Sequence, residues 1–242
     1  MVSPAHYRLP SFEPGILVIV GGYGSGKSEV SVNLARYLVA TTAQPVAMAD
    51  LDIINPYFRS REAALELSAL GIRVLMPAGD HAGADLPIII PEVKGAIQQN
   101  EGYLILDVGG DDVGSRVLSS LGGAFRENGY DMLLVMNGSR PFTSTVAGAT
   151  KLMAEIEASS RLKFTGLIAN THLLEQTTAE VVIDGLKLTE QLSAAAGLPI
   201  RFVSLLETVL EKMSKAPVAH PILPLGRSLV KPWEKRYGAD RA

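Results

Sequence analysis

Runs of four or five apolar residues alternate along this chain with longer segments in which apolar positions recur every three or four residues. Strands and helices are therefore predicted in turn. The run at 16–20, Ile-Leu-Val-Ile-Val, predicts a buried strand, and 28–40 predicts a helix with Val32, Ala35 and Leu38 at helical spacing. Residues 45–49 predict a second strand ending at Asp50, 60–70 a helix closed by Gly71, and 72–76 a third strand. The stretch 77–91, rich in Gly, Ala, Asp and Pro, reads as a long loop. Within it 86–90 is apolar enough for a strand or for packing under a partner, and 92–99 predicts a short helix. Further strands are expected at 103–106, 132–136, 164–169 and 200–203, and further helices at 113–128, 143–159 and 179–196. Gly122 and Gly123 weaken the first of these helices, while Gly197 and Pro199 end the last. Beyond Leu205 the chain reads as helical, then Pro-rich, then polar. This order predicts an α/β protein with a doubly wound, mostly parallel sheet flanked by helices. One domain over 1–242 is expected, with extensions at 1–14 and 215–242.

Composition narrows the picture. Hydrophobic residues are 47% of the chain and charged residues 19%, which suits strands buried on both faces. A formal net charge of -3 gives no global basic field for nucleic acid. The chain has no cysteine, which excludes disulfides, thiolate metal sites and thiol catalysis by its own residues and is compatible with a reducing cytoplasm. Residues 1–14 carry Pro4, Pro10 and Pro14 without an apolar core, so no signal peptide is expected. No apolar run approaches the ~20 residues that span a bilayer, and a soluble, cytoplasmic protein is expected.

Between the first strand and helix, residues 21–28 read Gly-Gly-Tyr-Gly-Ser-Gly-Lys-Ser, a full match to the phosphate-binding pattern G-x-x-x-x-G-K-[ST]. Backbone N–H groups of Gly22, Tyr23, Gly24, Ser25, Gly26 and Glu29 are candidates to close round phosphate, which a Cβ at the glycines would obstruct. Lys27 can reach the β- and γ-phosphates, and the Ser28 hydroxyl can ligate Mg²⁺. Ligands in open parallel sheets sit at the carboxyl ends of strands, so strand-end residues carry weight. Asp107, followed by Val-Gly-Gly, sits where an acid holds Mg²⁺, and Gly110 completes a D-x-x-G able to sense a γ-phosphate. Asp50 and Asp52 point the same way from an extended segment, one suited to orient water and the other to support Mg²⁺; a solvated acidic turn is the alternative. Asn170 ends a strand where an amide can read a base edge. A guanine-reading N-x-x-D would need Asp at 173, where the chain has Leu173, so ATP is favoured over GTP. The Asp80, His81 and Asp85 loop reads as polar rather than metal-binding, and His6, His172 and His220 are isolated, so no zinc is expected.

The segments GGYGSGKSEVSVNLARYL, ADLDIINPYF, LILDVGG and LIANTHL, in this order over about residues 15–205, resemble the MinD/ParA/CobQ-like P-loop ATPases of the class that includes nitrogenase iron protein. The resemblance implies ATP hydrolysis with Mg²⁺, a homodimer with nucleotide at its interface, and a protein partner. By position it implies phosphate and Mg²⁺ contacts for Lys27 and Ser28, water positioning by Asp52, Mg²⁺ support by Asp107 and an adenine contact for Asn170. The group's second lysine, five positions before the P-loop lysine, is replaced here by Gly22. Arg59, Arg61 or Arg140 could supply a charge in its place, as arginine fingers do elsewhere. The residues thus imply a nucleotide-controlled switch on a protein partner. Two other classes remain open on this scaffold: a CobQ- or dethiobiotin-synthetase-like ligase, with 77–91 and 137–141 lining a substrate site, and a ParA-like partition protein using Lys212, Lys215, Arg227 and Lys231. Membrane binding through 228–241 is disfavoured because Pro232 interrupts its amphipathic pattern.

Overall fold

Eight parallel strands form the sheet of the computed structural model, which describes residues 8–52, 61–75, 86–213 and 218–226. The strands are β1 (Gly15–Gly21), β2 (Val46–Asp50), β3 (Ile72–Leu75), β4 (Tyr103–Gly109), β5 (Asp131–Met136), β6 (Gly166–Ala169), β7 (Ile200–Leu206) and β8 (Ile222–Leu225). Their order across the sheet is β3-β2-β4-β1-β5-β6-β7-β8. β1 therefore lies inside the sheet with β4 on one side and β5 on the other, and chain direction across the sheet reverses around it. The helices are α1 (Lys27–Thr41), α2 (Arg61–Ala69), α3 (Leu86–Gln98), α4 (Asp112–Asn128), α5 (Val146–Ser160), α6 (Ala179–Ala196) and α7 (Glu207–Lys212).

Alternation along β1 divides the core into two layers. Ile16, Val18 and Val20 face α3, α4 and α5, meeting Val93, Leu118, Phe125 and Leu152. Leu17 and Ile19 face the other way, onto Val30, Leu34 and Leu38 of α1 and Leu67 of α2. A strand buried on both faces must be apolar at nearly every position, which is why β1 and β4 are such uniform runs. Residues 8–14 cross the lower end of this layer: Tyr37 and Tyr103 donate hydrogen bonds to the carbonyls of Pro10 and Phe12, and Phe12 packs edge-on to Phe202.

Most elements fall where the hydrophobic pattern puts them, with two corrections. Residues 86–90 open helix α3 rather than forming a strand, and Pro91 sits inside that helix at the cost of one backbone hydrogen bond. The last strand is β8, beyond the 200–203 run; it is four residues long and contains Pro224, so it carries almost no strand signature. Among the described strands β8 pairs with β7 alone, an edge position at which Pro224 is tolerated. The two extensions and the 53–59 and 77–85 segments lie wholly or largely outside the described residues. No helix among the described residues is long and apolar enough to cross a membrane.

Phe125 is fully buried under the sheet. Phe125→Ala is expected to lower unfolding free energy by about 3–5 kcal/mol. Val113→Ala, on the exposed first turn of α4, should stay within about 0.5 kcal/mol. Denaturant unfolding of both variants checks the layer assignment.

Candidate functional site: a P-loop over three buried carboxylates

After Gly21 the chain turns sharply. The Ser25 N–H donates to the Gly22 carbonyl at 3.0 Å, and Gly24 and Gly26 take φ of 73° and 85°, a left-handed region that disfavours side chains. Gly26 caps α1 without any side-chain acceptor, so the first-turn N–H groups of the helix have no capping oxygen. Free N–H groups and the positive end of a helix dipole together make an anion site.

Three loop-side residues hold this turn by its carbonyls. Asn170 Nδ2 donates to the Ser25 carbonyl at 2.8 Å, while its Oδ1 accepts from Ser204 Oγ at 2.9 Å. Arg140 Nε donates to the Gly24 carbonyl at 2.9 Å, and Asn137 Nδ2 approaches the same oxygen at 3.4 Å. With its carbonyls pinned from behind, the loop can present its amides forward. A Cβ on Gly26 would lie 2.5 Å from the Asn170 amide nitrogen, so this close approach also requires glycine.

Asn170 is 2% exposed, and its amide engages the P-loop backbone and Ser204, which makes it a brace in this structure. Arg140 is likewise spent on Gly24 rather than extended as a finger. Arg59 lies outside the described residues, as do Asp80, His81 and Asp85, and only the backbone of Arg61 is described. Asn137 and the Arg140 brace were not legible beforehand. They lie 113 and 116 positions from Gly24, and only the rule that strand ends carry function pointed toward Asn137.

Under the loop the strand-end acids meet. Asp107 in β4 is level with Ile19 of β1 and Asp50 of β2. It is fully buried and accepts from Ser28 Oγ at 2.5 Å and Ser31 Oγ at 3.4 Å. Lys27 Nζ meets Asp52 Oδ2 at 2.5 Å, and Asp50 Oδ1 accepts the Asp52 N–H at 3.0 Å. Burial pushes the Asp107 carboxyl up to about 6, against the pull of Lys27 and the Ser28 hydrogen bond. Burial alone would lower Lys27, yet Asp107, Asp52 and Asp50 together raise it, so the ammonium stays charged. The structure thus brings Lys27, Ser28, Asp50, Asp52 and Asp107 together.

Gly110 joins this group from the other side: its N–H donates to the Gly21 carbonyl at 3.1 Å. Asp111 then caps α4, accepting from the N–H groups of Val113 and Gly114 at 3.0 and 2.8 Å. A cleft of about 360 Å³ opens over Lys27, Asp52 and Gly110, walled by Tyr23, Phe142 and Leu152.

Ser28 and Asp107 supply hard oxygen donors of the kind Mg²⁺ takes when phosphate oxygens and water complete its shell. No group of three or more His, Cys, Asp or Glu among the described residues is arranged to hold a metal alone. The residues therefore fit a cation that arrives with a phosphate.

No protein-family model matches the chain, and no curated protein matches it in sequence. Solved structures do. The cell division protein FtsY of Thermotoga maritima is similar at 20% identity and a TM-score of 0.53, over 85% of this chain and 66% of that one. An FtsY of Mycoplasma mycoides is similar at 18% identity and a TM-score of 0.50, over 80% and 62%. The signal recognition particle receptor FtsY of Elizabethkingia anophelis, solved with GDP, gives 19% identity and a TM-score of 0.49, over 80% and 57%. The chain thus spans less than two thirds of the length of each.

Neutral Asp107 contributes stability in the nucleotide-free protein. Its folded value lies above the ordinary 3.8, so the contribution is full below about pH 4 and is lost as pH rises through about 6. Asp107→Asn should remove that slope in denaturant unfolding run from pH 4 to 7. Asn170→Ala strands the buried Ser25 carbonyl and should cost about 1–3 kcal/mol. It should weaken ATP and GTP binding by the same factor; a changed ATP-to-GTP ratio would restore Asn170 as a base reader. With strand order, loop and buried acids in place, the fold is that of an α/β P-loop NTPase, a parallel sheet flanked by helices.

Proposed function

We propose that this chain is a Mg²⁺-dependent nucleoside triphosphatase whose nucleotide state governs docking to a protein partner. The observation that carries the reading is the Gly110-to-Gly21 hydrogen bond, which ties the segment after Asp107 directly to the start of the P-loop. A triphosphate seated on the α1 amides would draw Lys27 from Asp52 to the β- and γ-phosphate oxygens. Ser28 Oγ would turn from Asp107 toward the cation that accompanies them. Bound Mg²⁺ neutralises charge on the transferring phosphoryl group. Asp52, released from Lys27, would then be free to orient water, with Asp50 holding its backbone.

Gly110 would exchange its bond to Gly21 for a γ-phosphate oxygen and return to Gly21 after hydrolysis. Because Asp111 caps α4 in the next position, that exchange moves a helix start and not merely a loop. Among bases, adenine is favoured, since Leu173 puts no acid where guanine's amino group would need one. A homodimer built across the P-loop face, in the cytoplasm, is the assembly this reading expects. The alternatives of a ligase or a partition protein gain no further observation.

The test is Mg²⁺-dependent hydrolysis of ATP and GTP by wild type and Lys27→Ala, with size-exclusion chromatography in each nucleotide state. ATP turnover should exceed GTP turnover and fall about 100-fold or more in Lys27→Ala. Asp52→Asn should keep nucleotide binding and lose turnover. Preference for GTP would overturn the base assignment, and absence of any nucleotide binding would overturn the whole reading.

A further inference from the structure

Behind the phosphate loop stands a histidine whose two ring nitrogens are both committed. Nε2 of His172 lies 2.9 Å from where a Cβ on Gly26 would sit, and the ring reaches the Ser25 carbonyl that Asn170 also holds. Nδ1 accepts the Leu174 N–H at 3.4 Å. A ring nitrogen that accepts an N–H carries no proton itself, so Nε2 carries it and can donate to Ser25. The two contacts together select one neutral tautomer. Asn137 fixes the backbone around the ring: its Oδ1 accepts the His172 N–H at 3.4 Å, and its Nδ2 approaches the His172 carbonyl at 3.5 Å.

The group on Nδ1 belongs to a tight turn. Thr177 Oγ1 accepts the Leu173 N–H at 2.9 Å and donates to the Leu174 carbonyl at 2.6 Å. Inside the turn Leu174 takes a φ of 54°, the left-handed region that a leucine enters only when its surroundings impose it. Its side chain is 55% exposed, so packing does not impose it. Hydrogen bonds at its own N–H and C=O do, and the His172 ring supplies the first of them.

A second proton on the ring acts on both sides. Nδ1–H would face the Leu174 N–H donor to donor, and that amide would lose its acceptor. The new charge would also face Arg140, on the segment after β5, whose guanidinium holds the Gly24 carbonyl. On the P-loop side the ring contacts the backbone of Ser25 and Gly26, while Lys27 beside them turns to Asp52. Glu175 is the acid on the turn itself. Burial, then Arg140, hold the ring below its usual 6.5, and the Ser25 carbonyl pulls the other way. The contribution of the neutral ring is therefore complete above pH 6.5 and is lost as pH falls beneath it.

We infer that His172 is a positioning residue of the phosphate loop, acting as its neutral Nε2–H tautomer through the Ser25 carbonyl and the Leu174 amide, so that protonation uncouples the 173–177 turn and weakens nucleotide binding. The part that concerns nucleotide rests on the reading proposed above; the link between ring and turn does not. It adds to the braces a member that can be switched, since Asn137, Arg140 and Asn170 do not titrate in this range.

The first measurement is NMR of the nucleotide-free full chain, following the His172 ring nitrogens and the Leu174 amide from pH 7.5 to 5. The ring should be the Nε2–H tautomer at pH 7.5, and the Leu174 amide should shift with the same midpoint as the ring. An Nδ1–H tautomer, or a Leu174 amide indifferent to the ring, would overturn the inference. The second is affinity for a fluorescent ATP analogue with Mg²⁺ over the same range, in wild type and in His172→Gln, which offers a donor without a titrating group. Both proteins share the titrations of Asp107 and of the nucleotide, so the difference between them isolates His172. The loss of affinity on acidification should be about fivefold or more greater in wild type, the lower end of ordinary coupling between sites. Equal losses would overturn the positioning role. An analogue that binds at no pH would sink the nucleotide reading, while the ring and amide titrations would still decide whether His172 governs the turn.

Discussion

Three carboxylates converge at the carboxyl ends of two neighbouring strands, in a region almost closed to water, and among the described residues the Lys27 ammonium reaches them. Asp50, Asp52 and Asp107 are each 2% exposed or less, and Lys27 is the base among them. Like charges in a dry site oppose one another, and the site's arrangement is a response to that constraint. Asp107 rises toward neutrality and shares its oxygens with two serine hydroxyls, Lys27 stays charged against its own burial, and Asp50 turns to a backbone N–H. The cluster is a place that a divalent cation with a polyphosphate would complete. On the proposed reading, phosphate would draw the lysine from Asp52 and the cation would draw the serine from Asp107, so both exchanges would trade internal pairs for ligand pairs.

Such a site needs a rigid frame, since a loop able to collapse onto the acids would neutralise them without ligand. The frame comes from behind. Asn170, Arg140 and Asn137 bind carbonyls of Gly24 and Ser25, which fixes the loop without using its amides for the purpose. Ser204 on β7 in turn holds Asn170. β5, β6 and β7 thus steady a loop that belongs to β1, and the sheet order β1-β5-β6-β7 is what brings them within reach. On the other side of β1, Gly110 touches Gly21 and leads into α4. The switch reading rests on that contrast: a back braced by three side chains and a front held by one backbone hydrogen bond that a phosphate could replace.

How much of this the sequence disclosed depends on the range of the interaction. The P-loop, β1 and β4 were readable because phosphate binding and two-sided burial each impose their pattern on consecutive residues. The gathering of Asp50, Asp52 and Asp107 was readable too, since all lie at strand ends of a parallel sheet. What failed was non-local or weakly patterned. Residues 86–90 read as a strand or as packing under a partner because an Ile-rich run bounded by proline shows no helical period, whereas the structure continues them into α3. β8 is too short, with Pro224 inside it, to show any period. The bracing role of Asn170 was not legible: an amide at a strand end can serve a base or a backbone carbonyl, and the carbonyl it meets here lies 145 positions away.

The same distinction explains why the cleft beside Gly22 could not be read from the chain. Sequence showed that position 22 lacks a lysine, which is a statement about absence. The structure adds what stands there instead: a floor without a Cβ, walls from Phe142 and Leu152, and a carboxylate on α5.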